Sequence, residues 1–172
     1  MHLKISPRSI PTLRTNPNAI IRAIQKSIRQ TLKDTKTDAA TGIKQRYTNP
    51  SVGTRPLKFK VNGLTGVLSS KGAANPLEKF KIQPRKRLKR PPKRGIFAQV
   101  VRGQGGFISH AFIYNKAVFA RKGKPRTPIR RLKTVSAPGM LKPPPISNLI
   151  LGKIQQRFDK HLGAALESVA IL

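Results

Sequence analysis

Between Lys79 and Phe158 the chain runs for eighty residues without an Asp or Glu, and in that span it carries twenty-one Lys and Arg. A segment of this kind cannot be built on internal ion pairs. Its charge has to be spread over loops and outer faces while a small apolar set makes the core, and the like charges repel one another. The whole chain holds 36 basic and 5 acidic residues in 172, a formal net charge of +31. Solubility of a small domain asks for a net charge of only roughly 2 to 8, so the excess is read as an attraction for a polyanion. The commonest polyanion is a nucleic acid backbone, whose neutralised phosphates release condensed counterions.

Composition narrows the fold. The apolar fraction of 37% lies below the roughly 45 to 50%, Gly included, of globular chains, and 15 Pro and 13 Gly make much of the chain loop or extended arm. A single domain over 1–172 with a thin core is the expectation. The absence of Cys excludes disulfides and thiolate metal sites. No run approaches the length of a membrane span, and Met1 to Ile10 has no apolar signal core, so no membrane association is expected. The first 33 residues lack acids, as a mitochondrial transit peptide would. That character continues through the body of the chain, which argues against a transit peptide.

The pattern along the chain predicts an α+β fold, with antiparallel sheet flanked by an N-terminal and a C-terminal amphipathic helix, both packed on one sheet face. Residues 1–15, punctuated by Pro7 and Pro11, read as an extended arm. Asn16 can cap a helix that Pro17 opens, with Ile20, Ile24, Ile28 and Leu32 at four-residue spacing and Ile21 alongside. A second, shorter helical stretch is expected over Asp38 to Tyr47, ended by Asn49-Pro50. Leu57, Phe59 and Val61 then alternate with lysines, and Asn62-Gly63 predicts a type I′ hairpin returning over Leu64 to Ser70. Leu77 to Ile82 is a less regular strand candidate. Strands are expected at Ile96–Arg102, Phe107–Ile113 and Ala117–Arg121, separated by Gly103 to Gly106 and by Tyr114-Asn115-Lys116. A basic loop over 84–94 and a basic, proline-rich segment over 121–146 lie between and after them. The Pro143 to Pro145 run is expected to be non-helical, with Ser147 capping a terminal helix over 147–168 whose stripe is Leu151, Ile154, Phe158, Leu162, Ala165, Leu166 and Val169.

No catalytic constellation is evident, and the chain is read as a non-enzyme without cofactor or metal. Asp34 and Asp38 share a helix face but sit beside Lys33 and Lys36, as ordinary surface ion partners do. His2, His110 and His161 lack metal-ligand spacing. Ser109 beside His110 on a predicted strand would face the other way. Two basic clusters remain as candidate phosphate-contacting loops. The first is Arg85, Lys86, Arg87, Lys89, Arg90, Lys93 and Arg94; the second is Arg121, Lys122, Lys124, Arg126, Arg130, Arg131 and Lys133. With 5% aromatic residues, several alternating into the sheet core, a stacking platform for single strands is not expected. Contact with a duplex backbone, blind to sequence, fits best.

The pieces Gly106-Phe107-Ile108, Val118-Phe119-x-Arg121-x-Gly123-Lys124-x-Arg126-x-Pro128-Ile129 and Ala137-Pro138-x-Met140, followed by an amphipathic terminal helix, resemble the minor tail protein Z family of tailed bacteriophages and prophages. Agreement is densest over 106–141 and looser over the first helix, the Val61 to Leu64 turn and Pro76 to Phe80. The Arg85 to Arg94 loop and the Pro143 to Pro145 run have no counterpart in that pattern. The resemblance implies a structural virion protein, a tail completion factor at the head-proximal end of the tail, assembled in the host cytoplasm. It also implies a homo-oligomeric ring of six subunits that contacts a tail terminator or tail tube protein, with double-stranded genomic DNA in its lumen. The alternative from another class is a ribosomal or mitoribosomal RNA-binding protein, basic for the same electrostatic reason; a nucleoid-compacting protein is a third, less consistent with the β patterning.

Overall fold

The computed structural model describes residues 2–5, 17–90, 92–121, 123, 125 and 127–170, with backbone only for 2–5 and 169–170. The fold is α+β: a long N-terminal helix lies on one antiparallel sheet, and the long C-terminal helix packs on that helix instead of sharing the sheet face with it as expected. Helix α1, Pro17–Arg46, is continuous where two stretches were expected. No Pro or Gly interrupts residues 18–41, and the buried stripe Ile24, Ile28, Leu32 continues through Thr35 and Ala39 to Ile43. The hydroxyls that fall on the buried face are satisfied within the helix. Ser27, Thr31 and Thr35 donate to the carbonyls of Ala23, Ser27 and Thr31 at 2.8, 2.8 and 2.7 Å, so these side chains enter the core without an orphaned polar group.

A short helix, α2 (Ser51–Thr54), leads to the hairpin of β2 (Leu57–Asn62) and β3 (Thr65–Ser70). Asn62 pairs with Thr65, so the two-residue turn is Gly63-Leu64, shifted by one from the expected Asn62-Gly63. Only Gly63, at φ +55°, adopts a positive angle there, the signature of a type II′ turn, which needs Gly at its first central position. Part of the expected arm is a strand: β1, His2–Ile5, pairs antiparallel with β3 on the edge opposite β2. The remainder of the arm and the expected Asn16 cap lie outside the described residues. Helix α1 lies on this sheet, and Gly66 permits the close approach, because a Cβ there would stand 2.5 Å from Ile28 Cγ2 and 2.7 Å from Leu32 Cδ1.

The rest of the sheet structure is divided. Strand β4 (Ala74–Pro76), a 3-10 turn at Leu77–Lys79 and β5 (Lys81–Gln83) replace the single strand candidate over Leu77 to Ile82. Strands β6 (Ile96–Val101), β7 (Gln104–Ile108), β8 (Ala111–Tyr114), β9 (Ala117–Arg121), β10 (Ile129–Arg131) and β11 (Lys133–Ser136) follow. They form sheets in the orders β5-β6-β7, β10-β9-β8 and β11-β4, separate from β1-β3-β2. The strands are three to six residues long and are separated by turns. The expected strand Phe107–Ile113 breaks at Ser109-His110, where His110 has φ +58°, so these two residues occupy a turn. The glycines Gly105 and Gly106, expected as a separator, belong to β7. Asn115 and Lys116, both at positive φ, make the type I′ turn of the β8–β9 hairpin. The basic, proline-rich segment after Arg121, for which no strand was expected, returns as β10 along β9.

Helix α3, Ala137–Leu141, is capped by Ser136, whose hydroxyl accepts from the Gly139 N–H at 3.2 Å. Helix α4 spans Pro144–Ala170 and so includes Pro144 and Pro145. The first helical turn has no intrahelical acceptors for its N–H groups, so proline loses nothing there and its fixed φ suits the helix. Ser147 lies inside α4 instead of capping it. Helix α4 runs antiparallel to α1: Gly42 faces Ile146, Asp38 meets Arg157, and Asp34 meets His161. The main core, with Ile24, Ile28, Leu32, Ile43, Leu57, Met140, Ile146 and Phe158, lies between the helices and the first sheet. A smaller core of Leu77, Ile82, Ile96, Ala98, Ala111, Ile113 and Val118 joins the later sheets. The two meet at the end of α1, where the Arg102 Nε–H donates to the carbonyls of Lys44 and Tyr47 at 3.2 and 3.1 Å, a cation at a helix C-terminus. Among the described residues no helix is long and apolar enough to cross a membrane.

Candidate nucleic-acid interface

Residues 84–90 and 92–94 form no helix or strand, as expected of a run in which prolines alternate with like charges. Arg85, Lys86, Arg87, Lys89, Arg90, Lys93 and Arg94 are all exposed, as are Arg121, Arg130, Arg131 and Lys133. Lys122, Lys124 and Arg126 lie outside the described residues. The fold brings parts of the two clusters together, although 34 residues separate Arg87 from Arg121. Lys86, Arg87 and Lys89 from the first loop and Arg121, Thr127 and Ile129 from the second hairpin line one cleft of about 390 Å³. Its lining contains no carboxylate.

Two aromatic side chains, Phe112 and Tyr114, line the cleft, and Phe119 packs against both of them. Phe112 and Tyr114 are two apart on β8 and share a face, and Phe119 on β9 stands directly opposite Phe112. The Phe112 and Phe119 rings are 6.3 Å apart at 26°, and Tyr114 meets Phe119 edge-on at the same centroid distance. Arginines cover them: Arg87 Cζ lies 5.9 Å from the Tyr114 ring centre and Arg121 Cζ 5.8 Å from that of Phe112. Such contacts contribute about 0.5 to 1 kcal/mol each at exposed sites, enough to hold the loop near the sheet but not to lock it.

The other candidates go elsewhere. Arg131 is bound to Glu78 through both Nε and a terminal nitrogen, the Nε contact at 3.0 Å; it acts as an internal staple between β10 and the 3-10 turn. Arg85 borders a separate, polar depression with Lys79, Lys81 and Arg102, and Lys133 lies on another face beside β6 and β7. Arg130 alternates to the face opposite Ile129 and Arg131. Sequence reasoning did not single out Phe112, Tyr114 or Phe119: it expects Tyr114 in the separator between two strands, where the structure has it ending β8, and expects several of the chain's aromatics, unnamed, in the sheet core. A signal was present: in Phe112-Ile113-Tyr114 and Phe119-Ala120-Arg121 the small or aliphatic residue between is the buried one, so period-two alternation turns the rings outward. Asp34 and Asp38, expected to pair with neighbouring lysines, reach across to α4 instead, His161 Nε2 to Asp34 at 2.8 Å and Arg157 Nη1 to Asp38 at 2.6 Å. Among the described residues no group of three or more His, Asp or Glu could hold a metal ion. Comparison with protein-family models, with curated proteins and with solved structures gives no match to the chain.

Proposed function

We propose that the chain is a structural protein of a tailed-bacteriophage virion, a tail completion protein at the head-proximal end of the tail. In this reading it assembles as a ring, meets a tail terminator or tube protein, and contacts double-stranded genomic DNA through phosphates without reading bases. The observation that supports polyanion contact is the convergence of two basic segments on a cleft lined without a carboxylate, in a chain of net charge +31. Each subunit of a ring would add to the positive potential along its axis, which draws in phosphates at long range. The virion placement rests on the residues shared with the minor tail protein Z pattern. The role is mechanical and electrostatic, not catalytic.

Two measurements test it. Mass spectrometry of purified particles should find the chain in the tail. Replacement of Arg85, Lys86, Arg87, Lys89 and Arg90 by Gln should leave the fold intact and make the slope of log K against log salt for a DNA duplex shallower by up to about 4.5. An unchanged slope removes that loop from the contact surface. Absence from particles together with co-sedimentation with ribosomal RNA would shift the assignment to the ribosomal alternative.

A further inference from the structure

We infer that the cleft between the Arg85 to Arg94 loop and the outer face of the β8–β9 hairpin is a binding site for an unpaired polynucleotide strand, with Tyr114 as the base-stacking residue. The inference builds on the polyanion reading above and names the form of nucleic acid that this one site takes.

An aromatic trio on the outside of a sheet is normally covered by apolar side chains. Here the segment lying over it offers charged residues and Leu88, itself 48% exposed, and Tyr114 remains 45% exposed. Tyr114 and Phe112 lie under guanidinium groups, which are planar and bind both aromatic faces and phosphates, the phosphates more strongly. That exchange of partners is the basis of the site. An entering base takes the place of Arg87 on the Tyr114 ring, and the guanidinium turns to a flanking phosphate, with Lys86, Lys89 and Arg121 around the same cleft to meet further phosphates. Stacking tolerates any base because every base has a π face.

A duplex does not fit this description. Its base faces are hidden in the stack, so it meets the rim cations and leaves Tyr114 idle. The cleft volume of about 390 Å³ lies in the range of small-ligand sites, roughly 300 to 1,000 Å³, which suits individual nucleotides of a strand and not a double helix. The shared chemistry, a π face between phosphates, is the same for DNA and RNA, so the test carries both.

The chain has two tyrosines and no tryptophan, and Tyr47 is only 3% exposed, so tyrosine emission that responds to a bound base reports Tyr114. The full chain is titrated with a dT12 oligonucleotide, a U12 oligonucleotide and a twelve-base-pair DNA duplex. Expected are quenching by dT12 or U12 but not by duplex, and about tenfold weaker binding of the oligonucleotide by Tyr114→Ala. The salt slope should stay unchanged and duplex affinity should stay within twofold. Tyr114→Phe should bind as the parent does while losing the quench, which shows that the ring is needed and the hydroxyl is not. The tighter of dT12 and U12 identifies the preferred strand, DNA or RNA, with dU12 separating the effect of the sugar from that of the thymine methyl, and loss with either supports the site. Wild-type affinity of Tyr114→Ala for both oligonucleotides, or an equal loss for oligonucleotide and duplex, overturns the site while leaving duplex contact standing. If the parent chain binds none of the three probes, the polyanion reading falls and this site with it.

Discussion

Along the α1–α4 contact, the buried stripe of each helix meets the other and the carboxylates Asp34 and Asp38 both reach across to α4. In the β region from Ala74 to Ser136, Glu78 is the only carboxylate, strands are three to six residues long, and the basic loops stand exposed around a smaller core. The difference shows how so basic a chain uses its few acids. Asp34, Asp38 and Glu78 sit where two elements must be held together; Glu78 takes one member of the second basic cluster, Arg131, as its partner, and the cations that line the cleft meet no carboxylate there. Stability is therefore concentrated in the helical layer, where apolar burial is large. Unneutralised charge is concentrated where the backbone has the least regular structure, and that is where a polyanion can reach it.

The largest test of this contrast compares the two cores. Ile28→Ala, between α1 and the first sheet, should lose about 4 kcal/mol in urea unfolding, and Ile96→Ala, equally buried but in the smaller core, about 2 kcal/mol; equal losses would erase the distinction. Next is Gly95, which closes the basic loop at φ +82°, where a Cβ would run into the Ile108 carbonyl. Gly95→Ala should lose about 2 kcal/mol from the β region. Hydrogen exchange should quicken in β6 and β7 and stay unchanged in the centre of α1; uniform quickening would mean that the two regions open as one. Smaller again is Asp38→Asn, which breaks a pair whose side chains are 20% and 26% exposed and should cost about 1 kcal/mol. A double-mutant cycle with Arg157→Gln checks that the loss belongs to the pair. The smallest effect on stability is Glu78→Gln, within about 0.5 kcal/mol, because its partner Arg131 is 48% exposed. The same change releases Arg131 and should steepen the salt dependence of duplex binding by about 0.9. An unaltered slope would show that Arg131 faces away from the phosphates.

Periodicity was readable wherever a face is buried along a single element. Ile24, Ile28 and Leu32 announce α1, and Leu57, Phe59 and Val61 announce β2, because side-chain spacing alone dictates which residues share a face. The continuity of α1 past Leu32 was not readable, since Thr31 and Thr35 look polar until their hydroxyls are seen bonded within the helix. The turn at Gly63 slipped by one residue for a related reason: pairing across to β1 as well as β2 sets the register of β3. Of the candidate interface, the cations were legible as charge runs, whereas the rings were not, because the hairpin that turns them outward is local but the basic loop that lies over them comes from a distant part of the chain.

The order of residues alone sets the sign and density of the charge, the two amphipathic helices and the loops that prolines keep open, since these follow from spacing and from the chemistry of each residue taken with its neighbours. Only the tertiary structure decided that Arg87 and Arg121 share a cleft, that Tyr114 forms part of its lining, and that Asp34 and Asp38 face α4. Those are contacts between residues far apart in the chain. They are selected by which apolar faces close on one another and not by any local preference.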